Sequence, residues 1–151
     1  MNNLMKNKRG LVMGVANDKS IGWGIAKAIS DQGGELAFTY QGEALKKRVI
    51  PLADSVNSDI VLPCDVSNDE DIDNTFNELK KVWPKIDFLV HAIAFSDKDE
   101  LKGEYIDTSR ENFINTMDIS VYSFTAIARR ASIMMPDGGS LLTLSYYGAE
   151  K

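Results

Sequence analysis

LVMGVANDKSIGWG, residues 11–24, is the stretch whose reading decides the fold. Leu11 to Ala16 form a short apolar run with the character of a buried strand. Beyond it, Ile21, Ile25, Ala28 and Ile29 recur at helical spacing up to Asp31, and Gly33-Gly34 ends the pattern. Between strand and helix lies a turn bearing Gly14, Gly22 and Gly24. Glycine lets a backbone approach a phosphate group closely, and a helix N-terminus supplies free N–H groups and a partial positive charge. Ser20 adds a hydroxyl donor. The spacing is not the common G-x-G-x-x-G: eight positions separate Gly14 from Gly22. Glycines in such a turn also serve purely steric needs, so the turn alone leaves a phosphate site and a bare chain reversal as alternatives.

Outward from this unit the same alternation repeats. Glu35–Tyr40 reads as a second strand and Gly42–Val56 as a helix in which Pro51 is expected to produce a break or kink. Asp59–Pro63 reads as a third strand. Ser67 is placed to cap a helix over Asp69–Val82, whose first turn carries Asp69, Glu70 and Asp71. Pro84 closes it. Ile86–Ala92 is apolar almost throughout, as in a strand covered on both faces. A polar stretch, Ser96 to Arg110, suits an active-site loop; a long helix over Phe113–Met135 and a fifth strand over Ser140–Leu144 follow. Strands alternating with helices through right-handed crossovers predict an α/β fold, a Rossmann-type doubly wound parallel sheet. Residues 1–151 read as a single dinucleotide-binding domain.

Seventeen basic and twenty-two acidic residues give a formal charge of −5. No basic field is available to draw in a nucleic-acid backbone. Cys64 is the one cysteine, which excludes an intramolecular disulfide and a thiolate zinc cluster and fits a reducing cytosol. No stretch approaches the roughly 18 apolar residues that span a bilayer. The expectation is a cytoplasmic protein without membrane insertion.

The strand ends carry the candidate ligand groups. Gln41 stands about 20 residues beyond Gly22, where a dinucleotide fold reads its ribose. Its amide can bond hydroxyls without repelling a 2′-phosphate, and Lys46, Lys47 and Arg48 follow it. As a solvated helix face these cations carry no meaning; as a phosphate clamp they would favour NADPH. The balance favours NADH. Asp65 and Val66, ending the third strand, are placed for an adenine ring, although a helix-entry aspartate explains Asp65 equally well. His91 to Ser96 follow the fourth strand with small residues beside the place of ribose and nicotinamide. His91 itself reads as a hydrogen-bonded structural residue and not as a base.

These residues together resemble bacterial enoyl-acyl-carrier-protein reductases, a divergent branch of the short-chain dehydrogenase/reductase superfamily. The likeness rests on Gly14-x5-Ser20-Ile21-Gly22-x-Gly24-Ile25-Ala26, Tyr40-Gln41, Cys64-Asp65-Val66, Trp83-Pro84-Lys85, His91-Ala92-Ile93, Asp118-Ile119-Ser120 and Leu144-Ser145-Tyr146-x-Gly148-Ala149-Glu150. It runs in order through essentially the whole chain. A generic member of the superfamily would show a tighter glycine turn and Asn-Asn-Ala-Gly after the fourth strand. The resemblance implies reduction of a trans-2-enoyl thioester on acyl carrier protein by NADH in fatty-acid elongation. It implies NAD(H) contacts from Gly14, Ser20, Ile21, Gln41, Asp65, Val66 and Ile93, an acyl contact from Ser96 and a catalytic role for Tyr146. It also implies a homotetramer for the full-length protein.

Two departures accompany it. Ala94 stands where the family most often has glycine. The family's Tyr-x6-Lys pair, with the last strands and helices of the sheet, falls after Lys151, so the 151 residues alone are expected to be inactive. A non-enzymatic NAD(H)-binding module, another short-chain dehydrogenase/reductase and a flavodoxin-like phosphate or flavin binder are the competing readings. The last is disfavoured by Gln41 and Asp65-Val66 standing where a dinucleotide would want them.

Overall fold

A computed structural model describes residues 3–149. Five strands, β1 (Arg9–Met13), β2 (Glu35–Tyr40), β3 (Val61–Pro63), β4 (Phe88–His91) and β5 (Ser140–Thr143), form one sheet in the order β3-β2-β1-β4-β5. Every neighbouring pair is parallel. Helices α1 (Ile21–Asp31), α2 (Gly42–Ser55), α3 (Asp69–Val82), α4 (Arg110–Met117) and α5 (Ser123–Ile133) make the connections. This is the expected Rossmann-type α/β arrangement.

Two cores flank the sheet because successive strand residues point to opposite faces. Leu11, Met13, Ala37 and Leu89 meet Ile72, Phe76 and Leu79 of α3 and Ala126, Ile127 and Ala131 of α5 on one face. Val12, Phe38 and Val90 meet Trp23 and Ala26 of α1 and Val49 and Ala53 of α2 on the other. Register enforces the division: Leu11 lies beside Ala37 and Leu89, and Val12 beside Phe38 and Val90. Phe38 and Phe76 are almost wholly buried, each contributing about 2–3 kcal/mol by removing its ring from water. The strand order reverses at β1, so a crevice opens above the carboxyl ends of β1 and β4.

Several boundaries differ from the sequence reading. β1 spans Arg9–Met13 rather than Leu11–Ala16, because Gly14 leaves the strand with φ +93°. α2 continues through Pro51. Pro51 and Lys47 are both exposed, so solvent serves the carbonyl that the missing N–H would have met. The cap of α3 is Asn68 and not Ser67. Asn68 Oδ1 accepts from the N–H groups of Glu70 at 2.9 Å and Asp71 at 3.3 Å, while Ser67 donates its hydroxyl to Asp65.

The long helix expected over Phe113–Met135 starts earlier, at Arg110, where Ser109 caps it by accepting from Asn112 N–H. It is then divided by a wider turn at Asp118–Tyr122. Serine hydroxyls offer competing partners there: Ser123 donates to the Ile119 carbonyl, and Ser120 bonds the backbone of Phe95. Among the described residues no helix is long and apolar enough to cross a membrane.

Candidate functional site

The turn after β1 is built against the end of β4. A Cβ on Gly14 would fall on the Ala92 carbonyl, within 2.5 Å of its carbon, and one on Gly22 would lie 3.2 Å from the Ala92 Cβ. The third glycine differs, since a Cβ on Gly24 would meet nothing within 4 Å. Inside the turn Ser20 Oγ donates to the Asn17 carbonyl at 2.7 Å and accepts from Ala16 N–H at 3.4 Å. Its side chain makes no cap bond to α1, and no acidic residue occupies the first turn of that helix. The positive end of α1 is therefore left uncompensated beside the turn, the electrostatic requirement of an anion site.

Beyond the turn lies a cavity of about 270 Å³ over the ends of β1 to β4. Gly14 and Val15 form one wall, Gln41 another, Asp65 and Val66 a third, and Ile93 and Ala94 a fourth, with Ile119 beside them. Five of the seven expected cofactor residues thus meet in one cavity. Ser20 and Ile21 lie at the start of α1 and do not line it, and Ile21 is exposed.

Asp65 is held as a carboxylate. Partial burial opposes its charge, but the hydroxyl and backbone N–H of Ser67, at 2.7 and 3.0 Å, and the side chain of Gln41 outweigh that and keep its pKa below the ordinary value. Gln41 and Asp65, on adjacent strand ends, are therefore coupled. Burial pushes the Cys64 thiol up, so the cysteine stays protonated in the cavity lining.

Cys64, Leu45, Phe95 and Ile119 also line the cavity and were not marked as ligand residues by sequence reasoning. Ile119 stood within Asp118-Ile119-Ser120, a motif that carried the resemblance without an assigned role. Among the described residues no cluster of His, Cys, Asp or Glu could hold a metal ion.

His91 is fully buried and hydrogen-bonded through both ring nitrogens, to Thr143 Oγ1 at 3.1 Å and Ser123 Oγ at 2.8 Å. That is the structural role read from the sequence. Ser96 is not in the cavity lining; its hydroxyl accepts from Asn112 Nδ2 at 3.2 Å and Thr116 Oγ1 at 3.1 Å. Tyr146 lies three residues past β5, is 81% exposed, and does not line the cavity. Glu150, which closes the serine-tyrosine motif, lies outside the described residues.

A wider, shallower groove runs beyond Phe95 along α4 and carries Asp97, Glu100, Glu111 and Asp118 against the single cation Arg110. Its charge is wrong for the phosphates of a dinucleotide.

A family model described as enoyl-(acyl carrier protein) reductase matches residues 14–151. Enoyl-acyl-carrier-protein reductase (NADH) 1 of Rhizobium meliloti (strain 1021) is 63% identical over 148 residues, which are 98% of this chain and 54% of that protein. The crystal structure of FabI from Candidatus Liberibacter asiaticus superposes with a TM-score of 0.98 at 54% identity, covering 100% of this chain and 58% of that one. The enoyl-acyl-carrier-protein reductase of Anaplasma phagocytophilum, solved in complex with NAD, gives a TM-score of 0.94 at 59% identity and covers 98% and 57%. The chain thus spans a little over half the length of the relatives it matches.

Proposed function

This chain belongs to the enoyl-(acyl carrier protein) reductase family, and we propose that it forms the dinucleotide-binding domain of a protein that reduces trans-2-enoyl thioesters with NADH. The observation that carries the reading is the cavity joining the glycine turn to Gln41, Asp65, Val66 and Ile93. The residues suit the cofactor. Gly14, without a side chain, lines the cavity near a helix N-terminus whose first turn carries no acidic residue, which fits a pyrophosphate. The carboxylate of Asp65 accepts hydrogen bonds where an adenine amine would donate one. Gln41 offers a neutral amide to ribose hydroxyls. Ser20 and Ile21 contribute from the start of α1, and Ile93 from the far wall.

A bound NADH would supply the hydride. The chain's own residues bind, orient and exclude water. Ala92, Ile93 and Ala94 keep the wall after β4 low, and Phe95, Leu45 and Ile119 make the cavity lining partly apolar. Tyr146 is assigned to the acyl side of the site, and its exposed ring is free to meet a substrate. Ser96, held by Asn112 and Thr116, is assigned to the acyl contact. Reduction of an enoyl thioester builds negative charge on the thioester oxygen, and a donor aimed there lowers the barrier by about 3–4 kcal/mol. The same reading makes the substrate acyl-carrier-protein-linked, the whole protein a homotetramer and the cytoplasm its location. The NADH-dependent relatives support the cofactor and the acyl-carrier-protein-linked substrate.

Calorimetric NADH titration and thioester-dependent loss of nicotinamide absorbance with crotonyl thioester test the proposal on the whole protein. NADH binding without turnover would overturn the reductase reading in favour of a binding module.

A further inference from the structure

His91 ends β4, directly before the residues that wall the cavity, yet its ring does not line it. The ring lies fully buried on the α5 side of the sheet, with Phe124 tilted against it at 5.5 Å between centroids. An imidazole buried in this way requires partners, and the second link of its network shows where its proton sits. The hydroxyl of Ser123 has one proton and donates it to the Ile119 carbonyl at 2.6 Å. Ser123 therefore accepts from His91, which puts the ring proton on Nε2. Nδ1 becomes the acceptor, and Thr143 is its donor.

One end of this chain of bonds reaches the cavity, and the other holds the strand that leads to Tyr146. Ile119 belongs to the wider turn between α4 and α5, and its side chain lines the cavity. Its neighbour Ser120 accepts from Phe95 N–H at 3.0 Å and donates to Phe95 O at 3.1 Å, tying that turn to the wall after β4. Thr143 is the last residue of β5, three before Tyr146. Apolar packing alone would hold these elements together without direction. Hydrogen bonds through a rigid ring also fix their rotation and depth.

The geometry points to His91 as a positioning residue: through a fixed Nε2–H tautomer it sets the Ile119 turn and the Thr143–Tyr146 segment relative to each other. The inference rests on the reductase reading, because Tyr146 bears on catalysis only where that reaction takes place. Small displacements of a reacting arrangement cost much more in turnover than in binding.

The test uses the whole protein with crotonyl thioester and NADH. Thr143→Val, which keeps shape and removes one hydroxyl at an exposed position, should lower kcat about threefold, and His91→Leu about tenfold. The NADH Kd should stay within about twofold in both. The double variant should be no slower than His91→Leu, since one bond cannot be lost twice. His91→Gln, which retains a donor toward Ser123, should recover part of kcat. Unchanged kcat in both single variants, or independent effects in the double variant, would overturn the inference. If His91→Leu fails to fold, Thr143→Val carries the kinetic test. The histidine ¹⁵N spectrum of the parent should show the Nε2–H tautomer, and an Nδ1–H ring refutes the inference whether or not the protein is active. If the parent does not turn over the thioester, the reductase reading fails separately. The Tyr146 ring resonances then decide: displacement in Thr143→Val supports positioning, and unmoved resonances sink it.

Discussion

Replacing each glycine of the turn by alanine separates conformational need from mere motif membership. At Gly14 the backbone has φ +93°, a conformation that costs an L-residue about 1–3 kcal/mol. The new methyl would also occupy the space of the Ala92 carbonyl, within 2.5 Å of its carbon, whereas non-bonded carbon atoms pack best at about 3.5–4.0 Å. The obstacle is backbone, held by the Ala92 N–H bond to the Met13 carbonyl at 2.9 Å, so β1 and β4 must part. Overpacking of that kind adds about 1–3 kcal/mol, for a total of about 2–6 kcal/mol with the backbone strain. At Gly22 the added methyl comes tightest to the Ala92 Cβ, at 3.2 Å, with the Gly14 carbonyl oxygen and Val15 at ordinary contact distance, and relief by a few tenths of an ångström costs about 1 kcal/mol. At Gly24 there is open space inside a helix, and alanine should stabilise by about 0.5–1 kcal/mol. Urea melts followed by circular dichroism give the three values, and NADH titration of the folded variants shows whether the cradle survives. A reading of the turn as three equivalent glycines predicts equal damage. Gly14→Ala within about 1 kcal/mol of the parent, or Gly24→Ala as harmful as Gly14→Ala, would refute the steric reasoning.

The cap assignment on α3 predicts that Asn68→Ala costs about 1 kcal/mol in the same melts and Ser67→Ala less; the reverse order would restore Ser67 as cap. Burial lowers the pKa of His91 below its ordinary 6.5, outweighing a hydrogen bond to its own backbone that raises it, and Thr143, Ser123 and Phe124 around the ring are neutral. The unfolded chain then binds the extra proton first. The histidine's contribution to stability is complete above pH 6.5 and is lost as pH falls from there through the folded-state value. His91→Gln should flatten that part of the stability curve, and an unchanged slope would assign it to other groups. Asp65→Ala should weaken NADH binding about tenfold, the worth of one charge-assisted hydrogen bond; affinity unchanged by calorimetry would remove Asp65 from the proposed site.

What the order of residues determines by itself is what depends on near neighbours along the chain. Alternating side-chain direction and helical spacing are local properties, so Leu11, Val12 and Met13 announce a strand with two covered faces, and Ile21 to Ile29 announce α1. The strand ends could be located for the same reason, and with them Gly14, Gln41, Asp65, Val66 and Ile93, which the fold then gathers into one cavity. Errors arose where two local signals competed or where a distant partner decided. Ser67 and Asn68 both suit a cap, and the demand of Asp65 for hydrogen bonds takes Ser67 away. The helix expected over Phe113–Met135 has continuous local propensity, and it widens at Asp118–Tyr122, where Ser120 finds the Phe95 backbone, 25 residues distant.

The unequal need for the three glycines, the tautomer of His91 and the inclusion of Ile119 in the cavity lining are likewise decisions of tertiary structure. Each depends on which atom of another strand or helix arrives within hydrogen-bond or van der Waals reach. Such distances exist only after β1, β4 and the α4–α5 segment have packed together.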